Sequence, residues 1–237
     1  MEYLMDVSFL LVFTIIAVLV ARRSAFESTV IFVAGLLWSL AAMVLGEPAT
    51  RWVSKTFFLA ADLQYTQYLW LLVPLGIFIH GLTCTLVFAT RAGEYSPQFG
   101  QKTEIVGRTA AAVLTGYLLA SFLLALLHTV PTQSRKICGI LEPDPAKRSG
   151  LVMRLAPDYQ FLGLVEYTTF PHAALTGKPW QLQRPLVSAN IERGRWGSYP
   201  VRYLLWREEL SLFLSLDYDQ TEFRPMTERV ESDISSR

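Results

Sequence analysis

The sequence predicts an all-α membrane protein with four transmembrane helices, followed by a polar C-terminal segment that contains short helices or strands. The first 134 residues contain four long apolar runs and only seven Lys or Arg and seven Asp or Glu residues. Residues 135–237 contain fourteen basic and thirteen acidic residues. The hydrocarbon core of a bilayer requires about 20 predominantly apolar residues in a helix, and each of the four runs has about that length.

The predicted spans are residues 3–21, 28–46, 67–90 and 109–130. Soluble core helices are seldom apolar on every face for so long, so four such runs in series indicate membrane spans. The uncharged core of the first run, Val7–Ala21, is preceded by Glu2 and Asp6 and followed by Arg22 and Arg23. A signal peptide has its basic residues before the apolar run, so we expect the first span to be retained.

Prolines mark the expected ends of two spans. Pro48 and Pro131 lie just beyond the second and fourth runs. Because proline is unfavourable inside a helix, both helices are expected to end there. The segment Arg51–Gln64 mixes apolar and charged residues and is expected to lie at the membrane interface as a short amphipathic helix.

Small residues inside the spans predict where the helices pack against one another. Lipid is as apolar as leucine, so helices in a membrane associate through close backbone approach and a few polar contacts. The predicted helix-packing residues are Gly35 and Ser39 in the second span, Gly76 and Gly81 in the third, and Ala112, Gly116 and Ala120 in the fourth. We interpret these residues as packing seams in preference to a substrate path.

Three further side chains in the spans, His80, Cys84 and His128, are candidates for an intramembrane polar site. His80 and Cys84 are four residues apart, so a helix presents them on one face. A zinc site would need two more ligands, and His128 lies at the far end of another span. We therefore predict a histidine that is hydrogen-bonded to a neighbouring helix, with no metal ion and no cofactor. The spans also lack the deep acidic residue typical of an ion pump, which argues against an active transporter working alone.

Residues 135–216 are predicted to be an extramembrane segment, either compact or resting on the membrane surface. Pro157 and Asp158 followed by apolar residues predict a short helix with proline in its first turn. The stretch Leu210–Leu216 alternates in a way that favours a strand, but a helix from Val201 also fits. Residues 217–237 are polar and charged and are predicted to be a disordered tail.

The charge pattern limits the partners and the orientation of the chain. The net charge of +1 gives no argument for nucleic acid, which requires a basic face. The expected partners are the lipid bilayer and either further copies of the chain or other membrane proteins. The basic residues 135–200 fit contact with anionic headgroups and a solvated linker equally well. Acidic residues before the first span and basic residues after it favour both termini outside.

The sequence contains none of the common catalytic motifs. His172 is the only histidine after the last span, and no Gly-x-Ser-x-Gly elbow, phosphate loop, dinucleotide fingerprint or Cys-x-x-Cys pair is present. Two cysteines, Cys84 and Cys138, do not make a disulfide framework. We therefore predict no catalytic residues and no enzymatic activity.

Several features of residues 1–130 occur in the order found in a known family. They are Asp6 before the first span, Arg22 and Arg23 after it, the amphipathic stretch Gly46–Gln64, and Ala112, Gly116 and Ala120 in the last span. This half of the chain resembles the colicin V production protein (CvpA-type) family of bacterial inner-membrane proteins. Ser24 stands where the family usually has glycine, and residues 135–237 have no counterpart in its shortest members.

The resemblance implies a location in the bacterial inner membrane and an association with colicin V export and envelope maintenance. The resulting hypothesis is a non-enzymatic scaffold or assembly component of the bacterial envelope, linked to toxin production or export. The alternative is a channel or a secretion and transport subunit that acts as an oligomer. In that case His80, Thr83, Cys84 and Thr85 would face a shared pore.

Overall fold

The computed structural model describes residues 2–57, 68–91, 99–130, 141–142 and 147–169, and within these ranges the chain forms helices and no strand. The helices are α1 (Glu2–Ala21), α2 (Ala25–Phe57), α3 (Leu69–Arg91), α4 (Gln101–Thr129) and α5 (Pro157–Thr169). A short 3-10 turn, Met153–Leu155, precedes α5. The predicted all-α fold class is confirmed, as is the helix that begins at Pro157. The stretch Leu210–Leu216 and the tail 217–237 lie outside the described residues.

Four of these helices are long and apolar enough to cross a membrane, as predicted. The segments that meet this criterion are Tyr3–Ala21, Ala25–Thr50, Leu69–Val87 and Gln101–Thr129. The second and fourth segments are longer than the predicted spans 28–46 and 109–130. In each case polar turns at the helix ends add to an apolar core of about the predicted length.

The expectation that Pro48 ends the second helix is wrong, because α2 runs through Pro48 to Phe57. Proline removes only one backbone donor, the one that would bond to the Val44 carbonyl, and the turn that contains it packs closely against α3, where Gly46 lies against Pro74. Just beyond Pro48 the Thr50 hydroxyl donates to the Gly46 carbonyl at 2.7 Å. Residues 51–57 therefore continue α2 instead of forming a separate interfacial helix. Residues 58–64 lie outside the described part of the chain.

The turn between α1 and α2 is fixed by a reciprocal cap. The Glu27 backbone N–H donates to Ser24 Oγ at 3.2 Å, and the Ser24 backbone N–H donates to Glu27 Oε2 at 3.4 Å. This is the capping box that a serine followed three residues later by glutamate predicts. Glu104 in the first turn of α4 accepts a further hydrogen bond, 2.6 Å long, from the Ala25 backbone N–H. The start of α2 is thereby joined to the start of α4.

Helix α4 is the centre of the bundle, and α1, α2 and α3 each pack against it. Gly35 of α2 lies against the Leu119 side chain, and the Phe78 and Phe122 rings of α3 and α4 are 4.8 Å apart. Along the chain the four helices alternate in direction. One end of the bundle therefore contains the start of α1, the end of α4 and the start of α3, and we call it the Asp6 end.

Helix α5 completes the core at the Asp6 end. Phe161, Leu162 and Val165 are buried in one apolar cluster with residues of α2, α3 and α4. The Phe161 ring packs edge-on against Phe122, with the ring centroids 5.5 Å apart. The described part of the C-terminal segment is therefore packed against the helical bundle. The extramembrane location of residues 135–216 stays a prediction.

The backbones of α1 and α4 approach each other closely where the two helices cross. A Cβ atom placed on Gly116 would lie 2.8 Å from the Phe13 carbonyl oxygen and 3.2 Å from the Ala17 Cβ atom. By contrast, Gly76 of α3 has no neighbouring atom within 4 Å of such a Cβ position. Small residues at a membrane helix interface allow this kind of contact, which replaces the hydrophobic effect as a source of association.

We expect Gly116→Ala to destabilise the protein by about 1–3 kcal/mol, because the new methyl group pushes α1 away from α4. In monomeric protein, where no atom lies within 4 Å of that Cβ position, the matched substitution Gly76→Ala should leave stability unchanged or raise it by up to about 1 kcal/mol through helix propensity. Thermal unfolding of both variants in detergent micelles measures the difference. Equal effects of the two substitutions would show that the α1–α4 contact is not close-packed.

Candidate functional site

The C-terminal segment contributes a buried ion pair between Arg148 and Asp158. Arg148 Nη1 donates to Asp158 Oδ1 and Arg148 Nη2 donates to Asp158 Oδ2, each at 2.8 Å. Both side chains have no solvent-accessible surface. Two parallel hydrogen bonds of this kind are the strongest geometry available to an arginine and a carboxylate. The pair therefore fixes the position of α5 relative to the residues that precede it.

His128 at the end of α4 joins the same carboxylate. Its Nε2 atom lies 2.7 Å from Asp158 Oδ2, and because a carboxylate only accepts, Nε2–H is the donor. The Tyr159 ring lies beside both side chains that donate to Asp158, with its centroid 5.2 Å from Arg148 Cζ and 5.6 Å from the His128 ring centroid. We call His128, Arg148, Asp158 and Tyr159 the C-terminal clamp.

The backbone around the clamp uses the remaining Arg148 donors. Arg148 Nε donates to the Glu142 carbonyl at 2.8 Å, and Nη1 also donates to the Met153 carbonyl at 3.3 Å. Burial raises the pKa of the Asp158 carboxyl, but the hydrogen bonds from Arg148 and His128 outweigh it and hold that pKa well below its ordinary value. The hydrogen bonds of the clamp therefore favour the ionised form of Asp158.

Local sequence places Asp158 in the first turn of α5. Ala156 has a left-handed backbone conformation, with φ 51° and ψ 58°, and its N–H donates to the Met153 carbonyl at 3.1 Å. Pro157 then begins the helix, where its fixed φ angle is favourable and its missing N–H is not needed. A negative charge one residue later is stabilised by the helix dipole. The sequence Ala-Pro-Asp thus turns the chain sharply and directs the carboxylate to the clamp.

A second connection joins the turn before α5 to the start of α1. The Met153 backbone N–H donates to Asp6 Oδ1 at 2.9 Å, and both residues are buried. Gly150 lies directly against this carboxylate, since a Cβ atom there would be 2.6 Å from Asp6 Oδ1. A third connection is the hydrogen bond from the Tyr117 hydroxyl to Gln160 Oε1, 2.7 Å long. Segment 147–169 is therefore attached to both α1 and α4.

A second candidate site is a polar stripe on the outer face of α3. Gly76, His80, Thr83 and Cys84 are all exposed in the monomer, and their spacing places them on one side of the helix. Cys84 Sγ lies 3.7 Å from His80 Nε2, as the four-residue spacing predicts. We call these four residues the α3 stripe. It lies midway along the membrane-spanning part of α3, Leu69–Val87.

The structure separates the three side chains of the predicted polar site. His80 and Cys84 are together on the α3 stripe, whereas His128 belongs to the C-terminal clamp. Among the described residues no group of three or more His, Cys, Asp or Glu side chains is arranged to hold a metal ion. Thr85 does not belong to the stripe, because its hydroxyl accepts a 2.8 Å hydrogen bond from Trp38 Nε1 of α2.

The predicted packing residues occupy different kinds of position. Gly81 lies under the Trp38 ring, and Gly35 and Gly116 face neighbouring helices. Ser39, Ala112 and Ala120 are buried within the bundle. Gly76 differs from the others because it faces outward with open space around it.

Sequence reasoning did not identify Arg148 and Asp158 as site residues. In the sequence Arg148 is one of several basic residues in a polar segment, and Asp158 indicates only the start of a helix. Two sequence features do indicate that a buried polar contact exists, namely Asp6 at the start of the first span and His128 at the end of the fourth. A polar side chain at such a position in a membrane needs a partner within the protein. Neither signal identifies which distant residue supplies that partner.

The fold and the sites define a helical chain with four helices long and apolar enough to cross a membrane. Comparison with models of known protein families, with curated proteins and with solved structures finds no match. The resemblance to the colicin V production protein family therefore stays a prediction.

We expect Arg148→Gln to destabilise the protein by about 3–5 kcal/mol, because it leaves the buried Asp158 carboxylate without its main partner. The control Arg154→Gln changes an exposed arginine of the same segment and should alter stability by about 0.5 kcal/mol or less. Thermal unfolding in detergent micelles compares the two variants. Similar effects for Arg148→Gln and Arg154→Gln would contradict a structural role for the clamp.

Proposed function

We propose that this chain is a multi-pass protein of the bacterial inner membrane, of the colicin V production (CvpA) type, that acts as a non-enzymatic scaffold or assembly component of the envelope. The proposal includes a link to toxin production or export, which rests on the family resemblance alone. The observation that carries the assembly role is the α3 stripe. It is a polar surface in the middle of a span, and in the monomer it faces outward.

Hydrocarbon is a poor environment for this surface. Polar side chains within a span almost always face the protein interior or water, because lipid offers them no hydrogen bonds. His80 and Thr83 face outward between flanking exposed apolar residues such as Leu72 and Ile79. Contact with another membrane helix would remove both side chains from lipid, which supports a lateral partner.

The stripe has the chemistry of a surface that binds a copy of itself. Neutral histidine and threonine each donate and accept hydrogen bonds, so the same face on two chains can pair across a twofold axis. Gly76 lies one helical turn before His80, and the open space around it permits close approach of a second backbone. We therefore propose a homodimer, or a larger oligomer built from that dimer, with α3 at the interface.

The clamp supports a structural role in preference to an enzymatic one. The His128 and Arg148 side chains both donate to Asp158, and none of the three has solvent-accessible side-chain surface. A catalytic acid or base must come within hydrogen-bond reach of its substrate. Groups enclosed and paired in this way are suited to joining α5 to the bundle, and that is the role we propose for them.

The alternative function is a channel or a transport subunit, and the same stripe favours it. In an oligomer with more than two chains, His80 and Thr83 would line a shared central pore. Purified protein in liposomes would then pass a small solute, and His80→Ala would reduce that flux. Oligomers that pass no solute would favour the scaffold.

We expect Cys84 to form a disulfide between two chains when Cys138→Ser protein in native membranes is treated with copper phenanthroline. Cys84 is exposed on the stripe, so a twofold contact brings the two thiols close together. The control has Cys84→Ser and Cys138→Ser with Leu11→Cys, which places one cysteine on the exposed face of α1. Non-reducing gel electrophoresis detects the crosslink.

A covalent dimer from Cys84 and not from Leu11→Cys is the expected result. If neither cysteine crosslinks, or both crosslink equally, α3 is not an interface between copies and the assembly proposal loses its main observation.

A further inference from the structure

The outer surface of residues 150–169 has the polarity of a surface that faces lipid. Its most exposed apolar side chains are Leu151, Tyr167 and Leu155, with 81%, 64% and 62% of their surface accessible. The two acidic residues of this segment, Asp158 and Glu166, are both buried. In water the hydrophobic effect favours the reverse arrangement, in which carboxylates are exposed and large apolar side chains are enclosed.

The polar residues on this surface do not change the pattern. Gln160 is exposed, but its Oε1 accepts from the Tyr117 hydroxyl and its Nε2 donates to the Leu155 carbonyl, at 2.7 and 2.8 Å. Both polar atoms of this amide are therefore bonded within the protein. Arg154 is the remaining exposed charge, and it lies in the turn beside the start of α1. A long arginine side chain can extend from there to the headgroup region.

The contacts of α5 place it alongside the spans instead of beyond their ends. Phe161 packs against Phe122, which precedes the end of α4 by seven residues, or roughly 10 Å along the helix axis. Tyr117, the partner of Gln160, lies still further from that end. Residues 109–129 contain no Lys, Arg, Asp or Glu, so Phe122 and Tyr117 belong to the apolar part of α4. A helix in contact with both residues lies at the depth of the hydrocarbon.

We propose that residues 150–169 form a re-entrant element that enters the membrane from the Asp6 end, with Leu151, Leu155 and Tyr167 in contact with lipid acyl chains. At 13 residues, α5 is too short to span a bilayer, which requires about 20. Residues 150–169 are thereby a fifth membrane element, in contrast to the extramembrane location expected from the composition of the C-terminal segment.

The proposal explains why the segment is connected to the bundle by charged and polar side chains. Non-helical backbone at membrane depth is tolerated only where its polar groups are satisfied by protein. The turn before α5 meets this condition, since Asp6 accepts the Met153 N–H and Arg148 donates to the Met153 carbonyl. The exposed face of α1 next to this turn is itself apolar, with Leu4 and Val7 outward, so the lipid-facing surface is continuous.

Nitroxide accessibility tests this placement in the full-length chain reconstituted into liposomes. In a Cys84→Ser, Cys138→Ser background, single cysteines replace Leu155 and Tyr167 and carry a spin label. Leu114→Cys marks an exposed position inside the α4 span, and Lys147→Cys marks an exposed position before the turn. Collision rates with oxygen, which dissolves in lipid, and with a water-soluble nickel chelate are measured at each site.

At positions 155 and 167 the ratio of oxygen to nickel collisions should match that at position 114 and exceed that at position 147. A ratio like that at position 147 at both sites would place the segment in water and overturn the proposal. Low collision rates with both reagents would also overturn it, because the surface would then be covered by protein. Two separate label sites guard against a local disturbance at one of them. The result does not depend on whether α3 forms an interface.

Discussion

One constraint organises this structure: a polar group surrounded by hydrocarbon must find its partner within the protein. The backbone meets it by forming helices. Several hydroxyl side chains meet it by donating to carbonyl groups one turn earlier, as Thr115 does to Ala111 at 2.7 Å. Trp38 meets it by donating to Thr85 on a neighbouring helix. In the C-terminal clamp, Arg148 meets it by donating to Asp158. Asp6 meets it by accepting a hydrogen bond from the Met153 backbone N–H.

This constraint also separates the two candidate sites by their roles. In the clamp the charges of Arg148 and Asp158 are partners within the chain, and their contact holds segment 147–169 on the bundle. Truncating either side chain would leave the other as an unpaired charge in the protein interior. The α3 stripe faces outward, where a second chain can supply what lipid does not. The bundle with α5 thus forms one unit, and the stripe is its proposed point of assembly.

The sequence predicts the helices well because their signal is local. Uncharged runs of about 20 residues identify the spans, and Pro157 with Asp158 identifies the start of α5. The error at Pro48 arises because proline removes only one backbone hydrogen bond, a loss that the packing of Gly46 against Pro74 in the same turn can outweigh. Likewise, the four-residue spacing places His80 and Cys84 on one face. It does not show whether that face is turned inward or outward.

The clamp cannot be predicted from the sequence, because it depends on contacts between residues that are far apart along the chain. His128 and Asp158 are 30 residues apart, and Asp6 and Met153 are 147 residues apart. Only the return of the chain to the Asp6 end brings them together.

The direct test of the underlying claim, that hydrocarbon surrounds the four spans, is extraction of membranes with alkaline carbonate. The full-length chain should remain in the membrane pellet and leave it only with detergent, whereas its release into the supernatant would contradict the account.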